Sequence, residues 1–181
     1  MKSKKKVLGH IFLKKDDITK EKSDAIVNAA NPSLLGGGGV DGAIHRAAGP
    51  GLLKECRKIG KCNHGEARIT KGYNLNAKYV IHTPGPIYKN EKEGEKDILT
   101  NSYINSLMIA KQYNIKSISF PSISTGVYNY PKNKACKVAI TSAIDFMINQ
   151  DYILDIIFVL YDDENLLIYK NQLAEIKNEL Y

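Results

Sequence analysis

Two short stretches of this 181-residue chain carry residues suited to holding a phosphate-containing molecule. The first has four consecutive glycines, Gly36, Gly37, Gly38 and Gly39, just ahead of a segment with helical spacing that starts near Val40. Residues without a Cβ adopt positive φ readily and let their N–H groups come close to a ligand. A helix N-terminus adds unpaired N–H donors and the positive end of the dipole, so the combination suits an anion. A flexible surface loop is the plainer reading, but four glycines carry a large ordering entropy that Ser, Asn or Asp would reduce. Asp41 and His45 follow at a spacing of four, which puts them on one face of that helix. The second stretch, "SISTGVYNYP" over residues 122–131, offers the hydroxyls and N–H groups of Ser122, Ser124 and Thr125, a close backbone approach at Gly126, and Pro131 near the first turn of another helix. An ordinary Ser/Thr-rich cap is the alternative there. Two such turns in one domain suit two linked phosphates.

The elements that must position these turns alternate between strand and helix. "VLGHIFL" (7–13), "AIVNA" (25–29), "EARITKGY", "KYVIHTPGP", "KSISFPSIS" (116–124) and "LDIIFVLY" (154–161) have strand character, apolar and partly β-branched between polar turns. Helical spacing runs through "VDGAIHRAA" to the stop at Gly49-Pro50, and again through "GLLKECRKI" as far as Gly60. It is clearest over 132–149, where Ala135, Val138, Ala139, Ala143, Phe146 and Met147 share a face. Leu166, Tyr169, Leu173, Ile176 and Leu180 mark a last amphipathic helix. The pattern predicts an α/β fold, a three-layer α/β/α sandwich with a mixed sheet, in which ligands sit where strand C-termini feed helix N-termini. "GGGVDG" formally matches the dinucleotide fingerprint, but "AANPSLL" separates it from its strand, and no acidic residue ends a second strand at the required distance.

Composition narrows the function classes. At 43% hydrophobic and 25% charged, the chain fits one globular domain over residues 7–181 behind a basic tail at 1–6, with no linker, repeat or low-complexity segment. No segment has the features of a signal peptide or a membrane span, and a cytoplasmic protein is expected. Cys56, Cys62 and Cys136 form an odd set without framework spacing, which argues against structural disulfides, and Cys56, Cys62 and His64 fit no common zinc pattern. The formal charge of +7 is mostly Lys scattered among acids, with Arg at 46, 57 and 68, which favours a solvated surface over a nucleic-acid stripe. A monomer is the default.

Taken in order, "DDITKEKSDAIVNAANPSLLGGGGVDGAIHRAAG", "VIHTPGP" and "SISTGVYNYP" resemble the macrodomain family, specifically its MacroD-type branch of ADP-ribosyl hydrolases. The resemblance covers about residues 7–161. It implies a mixed six-stranded sheet and ADP-ribose as ligand. It implies that Asp17 accepts from the adenine amino group with Ile18 beside it, although a helix cap is the other reading of Asp17. Tyr161 would pack on the adenine or else be a core aromatic. Gly37 to Val40 and Ser124 to Tyr128, with Val127 among them, would hold the diphosphate through backbone N–H groups. Ala30 would be among the residues that bind ADP-ribose, and Asn31, counted with Asp41 and His45 as catalytic, would hydrogen-bond the distal ribose with Tyr128 against the sugar, unless Asn31 is a turn residue before Pro32. Asp41 would position or activate water, or be a helix N-terminal charge; His45 would orient Asp41 or pack under the loop.

Departures from the family pattern are Asp16 where Gly precedes Asp-Ile-Thr, Asn129 where Gly precedes Tyr-Pro, and Pro84 where an aliphatic residue is usual. Asn tolerates positive φ best after Gly, which would preserve the second turn. The cysteine and histidine insert of zinc-containing members is absent, so neither a metal nor another cofactor is expected. The resemblance implies an enzyme that removes mono-ADP-ribose from acidic side chains of proteins and deacetylates O-acetyl-ADP-ribose; a non-catalytic reader of ADP-ribosylated targets is the alternative.

Overall fold

A computed structural model describes residues 4–179. Six strands, β1 (Ile11–Lys15), β2 (Ala25–Ala29), β3 (Arg68–Lys71), β4 (Tyr79–Thr83), β5 (Ser117–Phe120) and β6 (Asp155–Leu160), form a sheet in the order β1-β6-β5-β2-β4-β3. All neighbouring pairs are parallel except β3 with β4, so the sheet is mixed. The helices are α1 (Lys4–Leu8), α2 (Gly39–Ala48), α3 (Pro50–Ile59), α4 (Glu95–Gln112), α5 (Lys132–Asn149) and α6 (Asp163–Asn178).

Strand alternation divides the core in two. On β2, Ala25 and Val27 join the side chains of α1, α4, α5 and α6, while Ile26 faces the layer of α2 and α3. Likewise Ile81 of β4 belongs to the first layer and Val80 to the second. Such two-sided burial is why the central strands read as nearly continuous apolar runs. Ile44 and Leu52, fully buried, anchor α2 and α3, each contributing about 2 kcal/mol. The three-layer sandwich is thus as the sequence predicts, and the clearest helical stripe, 132–149, coincides with α5.

The N-terminal segment differs. Residues expected as the end of a basic tail and the start of a strand instead form α1, with Val7 and Leu8 buried against the first layer. Three lysines are good helix formers, and the apolar pair gives the short helix a face to bury. The strand begins only after the turn at Gly9-His10 and runs on through Lys14 and Lys15, charged residues that protect an edge strand from pairing further. Pro50 opens α3 at its first turn rather than only ending α2. Leu180 of the last predicted stripe lies outside the described residues.

On the surface, basic side chains alternate with acids, as in Lys15–Asp163 at 2.8 Å, Lys89–Glu93 at 2.8 Å and Lys134–Glu91 at 2.6 Å. Among the described residues no helix is long and apolar enough to cross a membrane.

Candidate active site

Strands β2 and β5 lie side by side at the centre of the sheet, and the chain leaves them in opposite directions, from β2 toward α2 on one face and from β5 toward α5 on the other. A crevice opens at such a divergence, outside the strand C-termini. Here it is a cleft of about 300 Å³ lined by Ala29, Ala30, Asn31, Gly38, Gly39, Val40, Asp41, Gly85, Ser122, Ser124, Gly126, Val127 and Tyr128. A wider hollow of about 620 Å³, between β3 and the C-terminal half of α4, is bordered by Arg68, Met108 and Lys111, with no helix N-terminus opening on it.

One wall is the glycine tract. Gly39, the first residue of α2, has φ +56°, and a Cβ on Gly37 would stand 2.5 Å from Asn31 Nδ2. Both positions therefore favour glycine, Gly39 by its backbone and Gly37 because a side chain there would displace the Asn31 amide, while Gly38 faces open space where a ligand has room to lie against the main chain. The opposite wall is the turn after β5. Ser124 (φ +66°) and Asn129 (φ +56°) both adopt the left-handed region without being glycine, so Asn129 takes the conformation for which Asn is suited. Its N–H donates to Gly126 O at 2.9 Å, and that of Tyr130 to Ser124 O at 2.9 Å, closing the turn. Thr125 Oγ1 donates to Ser122 O at 2.9 Å, so its proton is spent within the turn. Ser124 Oγ is buried with no partner among the described residues, which leaves its proton free for the cleft.

Asn31 joins the walls. Its Nδ2 donates to Gly36 O at 3.1 Å and lies 3.4 Å from Asp41 Oδ2, while its Oδ1 accepts from Tyr128 Oη at 3.3 Å. Burial, followed by the charge of Asp41, raises the Tyr128 hydroxyl above its ordinary value, which keeps it a donor. Asp41 is 4% exposed in the first turn of α2, where the dipole favours its charge. Its Oδ1 accepts from Asn28 Nδ2 at 2.8 Å. His45 Nε2 stands 3.4 Å from the same oxygen but too obliquely for a hydrogen bond, and its ring packs under Gly36. His45 thus backs the loop and the carboxylate without lining the cleft.

The remaining predicted residues sit at the other end. Asp17 Oδ1 accepts from Thr19 N at 2.9 Å and Thr19 Oγ1 at 2.7 Å, capping the 3-10 turn Ile18–Lys20, so the cap reading holds for that oxygen. Ile18 is buried in the α2–α3 layer. Tyr161, directly after β6, is 87% exposed, which removes the core-aromatic reading. Asp16 N–H donates to Leu160 O at 3.2 Å, bringing the segments of Asp17 and Tyr161 together at the ends of β1 and β6. None of these three borders the 300 Å³ cleft itself.

Four residues of the site escaped the sequence reading. Ala29 and Gly85 line the cleft, and a Cβ on Gly85 would lie 2.2 Å from Ser124 Oγ. The strap carrying Gly85 braces the second turn through Tyr88 N–H to Tyr128 O at 2.9 Å. Asn28 and His82 lie beneath Asp41, both fully buried. The "NAAN" repeat of asparagine was a usable signal for Asn28; His82 is disclosed only by strand pairing. The three cysteines are buried free thiols, pushed up by burial to about 11 for Cys56 and Cys62 and about 12 for Cys136, which makes them poor nucleophiles.

Known proteins give the same picture. The Macro domain family model matches residues 27–139. The ADP-ribose glycohydrolase MACROD2 of Xenopus laevis is 52% identical over 163 residues, which span 89% of this chain and 39% of that longer protein. The O-acetyl-ADP-ribose deacetylase of Cronobacter turicensis is 46% identical over 171 residues, 92% of this chain and 97% of that one. The crystal structure of the Trypanosoma brucei macrodomain in complex with ADP-ribose superimposes with a TM-score of 0.86 at 42% identity, covering 91% of this chain and 69% of that chain. With its central strands, cleft and sequence all agreeing, the chain belongs to the macro domain family.

Proposed function

We propose that this protein hydrolyses ADP-ribosyl esters, removing mono-ADP-ribose from acidic side chains of proteins and deacetylating O-acetyl-ADP-ribose. The observation that carries the reading is the buried carboxylate of Asp41, set between two amide-rich turns at a crevice of about 300 Å³. The relatives named ADP-ribose glycohydrolase and O-acetyl-ADP-ribose deacetylase support it.

In this reading the diphosphate lies across the N–H groups of Gly37 to Val40 and Ser124 to Tyr128, with the Ser122 and Ser124 hydroxyls beside it. Asn31 and Tyr128 hold the distal ribose next to Ala30, and Asp17, Ile18 and Tyr161 take the adenine. Asp41, through the oxygen that faces Asn31, positions the attacking water, and His45 limits the carboxylate's movement from behind. Water adds across the ester linkage, giving ADP-ribose with a free hydroxyl and the freed carboxylic acid. Fixed N–H dipoles and the bound phosphate stabilise charge that develops at the sugar. The proposal includes residues 7–181 acting as one macrodomain, a monomer, in the cytoplasm, where buried free thiols stay reduced.

Incubation with a labelled, mono-ADP-ribosylated acidic protein should release the label as ADP-ribose. Tight binding of ADP-ribose with no release would leave the reader reading in place of the enzyme.

A further inference from the structure

Beneath the cleft, a chain of buried polar groups runs from Asp41 through three strands to the sheet edge. Asn28 on β2 and His82 on β4 are paired neighbours in the parallel register, both on the α2 side of the sheet. Asn28 Nδ2 donates to Asp41 Oδ1 at 2.8 Å and lies 3.2 Å from His82 Nδ1. His82 Nε2 is 2.9 Å from Thr70 Oγ1 on β3, and Thr70 Oγ1 is itself 3.1 Å from Lys71 O. Neither Asn28 nor His82 borders the cleft.

Proton counting fixes the direction of this chain. The Asp41 carboxylate needs a donor, so Asn28 turns Nδ2 toward it, and the same nitrogen then faces His82 Nδ1, which must accept. The ring proton is left on Nε2, beside Thr70 Oγ1 at 2.9 Å and Cys56 Sγ at 3.9 Å, and the Thr70 hydroxyl turns to the carbonyls of Lys71 and Val80. Nδ1 is then the lone pair that receives one Asn28 N–H, which leaves the other N–H for Asp41. The opposite amide orientation would press Asn28 Oδ1 against a carboxylate oxygen, acceptor against acceptor. Burial, and after it the neighbouring His45, hold His82 down to about 3, so the ring remains an acceptor throughout the neutral range. Asn28 Oδ1, buried, has no partner among the described residues. The contacts of this amide thus all run through its nitrogen.

We propose that Asn28 and His82 are positioning residues for hydrolysis: His82 orients the Asn28 amide, which pins Asp41 Oδ1 and leaves Oδ2 as the oxygen that works on water. The inference rests on the hydrolase reading. Ligand binding does not use the pair, so the effect falls on turnover and spares affinity.

The test compares His82→Leu with His82→Asn, alongside Asn28→Ala, in the full chain. Asn and Leu are close in size, but Asn Oδ1 falls near the position of His Nδ1 and restores an acceptor for the Asn28 amide. His82→Leu and Asn28→Ala should each lower kcat by about tenfold or more, with KM and the Kd for ADP-ribose within about twofold of the parent, and the double variant should be no slower than the worse single one. His82→Asn should recover most of the loss. Equal kcat in parent and both single variants, or equal losses in His82→Leu and His82→Asn, would overturn the proposal. If the variants fail to fold, 15N spectra of the imidazole in the parent protein decide: a neutral ring with the proton on Nε2 from pH 5 to 8 is expected, and a proton on Nδ1 refutes the chain. A parent that binds ADP-ribose but releases no label defeats the hydrolase reading instead, and is recognised before any variant is made.

Discussion

The turn before α2 and the turn before α5 wall the same cleft, yet they are built from opposite materials. The first is stripped to main chain, with Gly37 kept bare by the side chain of Asn31 and Gly39 held at positive φ. The second keeps its side chains and bends through Ser124 and Asn129, two non-glycine residues in the left-handed region, closed by its own hydrogen bonds and braced by the strap at Tyr88. The first carries the buried carboxylate; the second presents Val127, 91% exposed, and Tyr128 at the rim of the cleft. In the proposed reading, bareness serves the reacting end, where a carboxylate, an amide and a ligand would approach within hydrogen-bond distance. The second turn keeps its shape by enforcement, since positive φ costs a residue such as Ser124 about 1 kcal/mol or more and persists only where the surroundings impose it.

The largest effect separates chemistry from grip. Asp41→Ala should reduce turnover of a mono-ADP-ribosylated protein by about 100-fold or more, roughly 3 kcal/mol, while ADP-ribose still binds by calorimetry. Wild-type turnover in that variant removes Asp41 from the mechanism. Next, Gly37→Ala places a methyl against Asn31 and should cost about tenfold in both affinity and kcat, because Asn31 ties the two walls together. An unchanged Kd would show that the bare turn is not needed for close approach.

At the far end, Tyr161→Ala should weaken ADP-ribose by several-fold with kcat and Tm unchanged, since the ring is exposed and its removal leaves no cavity. A fall in Tm instead would mean that the ring packs on the fold.

The smallest effect concerns the brace. Glu95, 3% exposed, accepts from the N–H groups of Lys89, Asn90, Glu91 and Glu93 at 3.0 to 3.3 Å. Burial alone would raise its carboxyl, but these donors outweigh it and hold the group at about 2, below the ordinary 4.5. A depressed value stabilises the fold above pH 4.5 and loses that contribution as pH falls toward 2. Glu95→Gln should lower Tm by a few degrees at neutral pH and flatten its decline over that acid window; a parallel decline in both proteins would contradict the assignment.

Much of this architecture was legible because local signals and tertiary packing agree. The stripe of α5, the doubly covered strand at 25–29 and the two turns each follow from a residue pattern within one segment. The tolerance of Asn129 for positive φ was readable for the same reason. The N-terminus misled because Val7 and Leu8 continue an apolar run into the strand, while the choice between helix and strand was made by α5 and α6, far along the chain. Asn28 and His82 were hidden because their pairing spans 54 positions and depends on strand register, which no local window contains. Asp17 shows the limit from the other side: the cap that its spacing to Thr19 allows is the one formed, and that spacing says nothing about a ligand.

The central claim is that main-chain amides of two facing turns, with no arginine cluster, seat a pyrophosphate against Asp41. A titration of the 15N-labelled protein with ADP-ribose tests it most directly. The amides of Gly38, Gly39 and Val40 and those of Ser124 to Tyr128 should shift together and saturate with one Kd, whereas shifts confined to lysine-rich surface segments, with both turns unmoved at saturation, would contradict it.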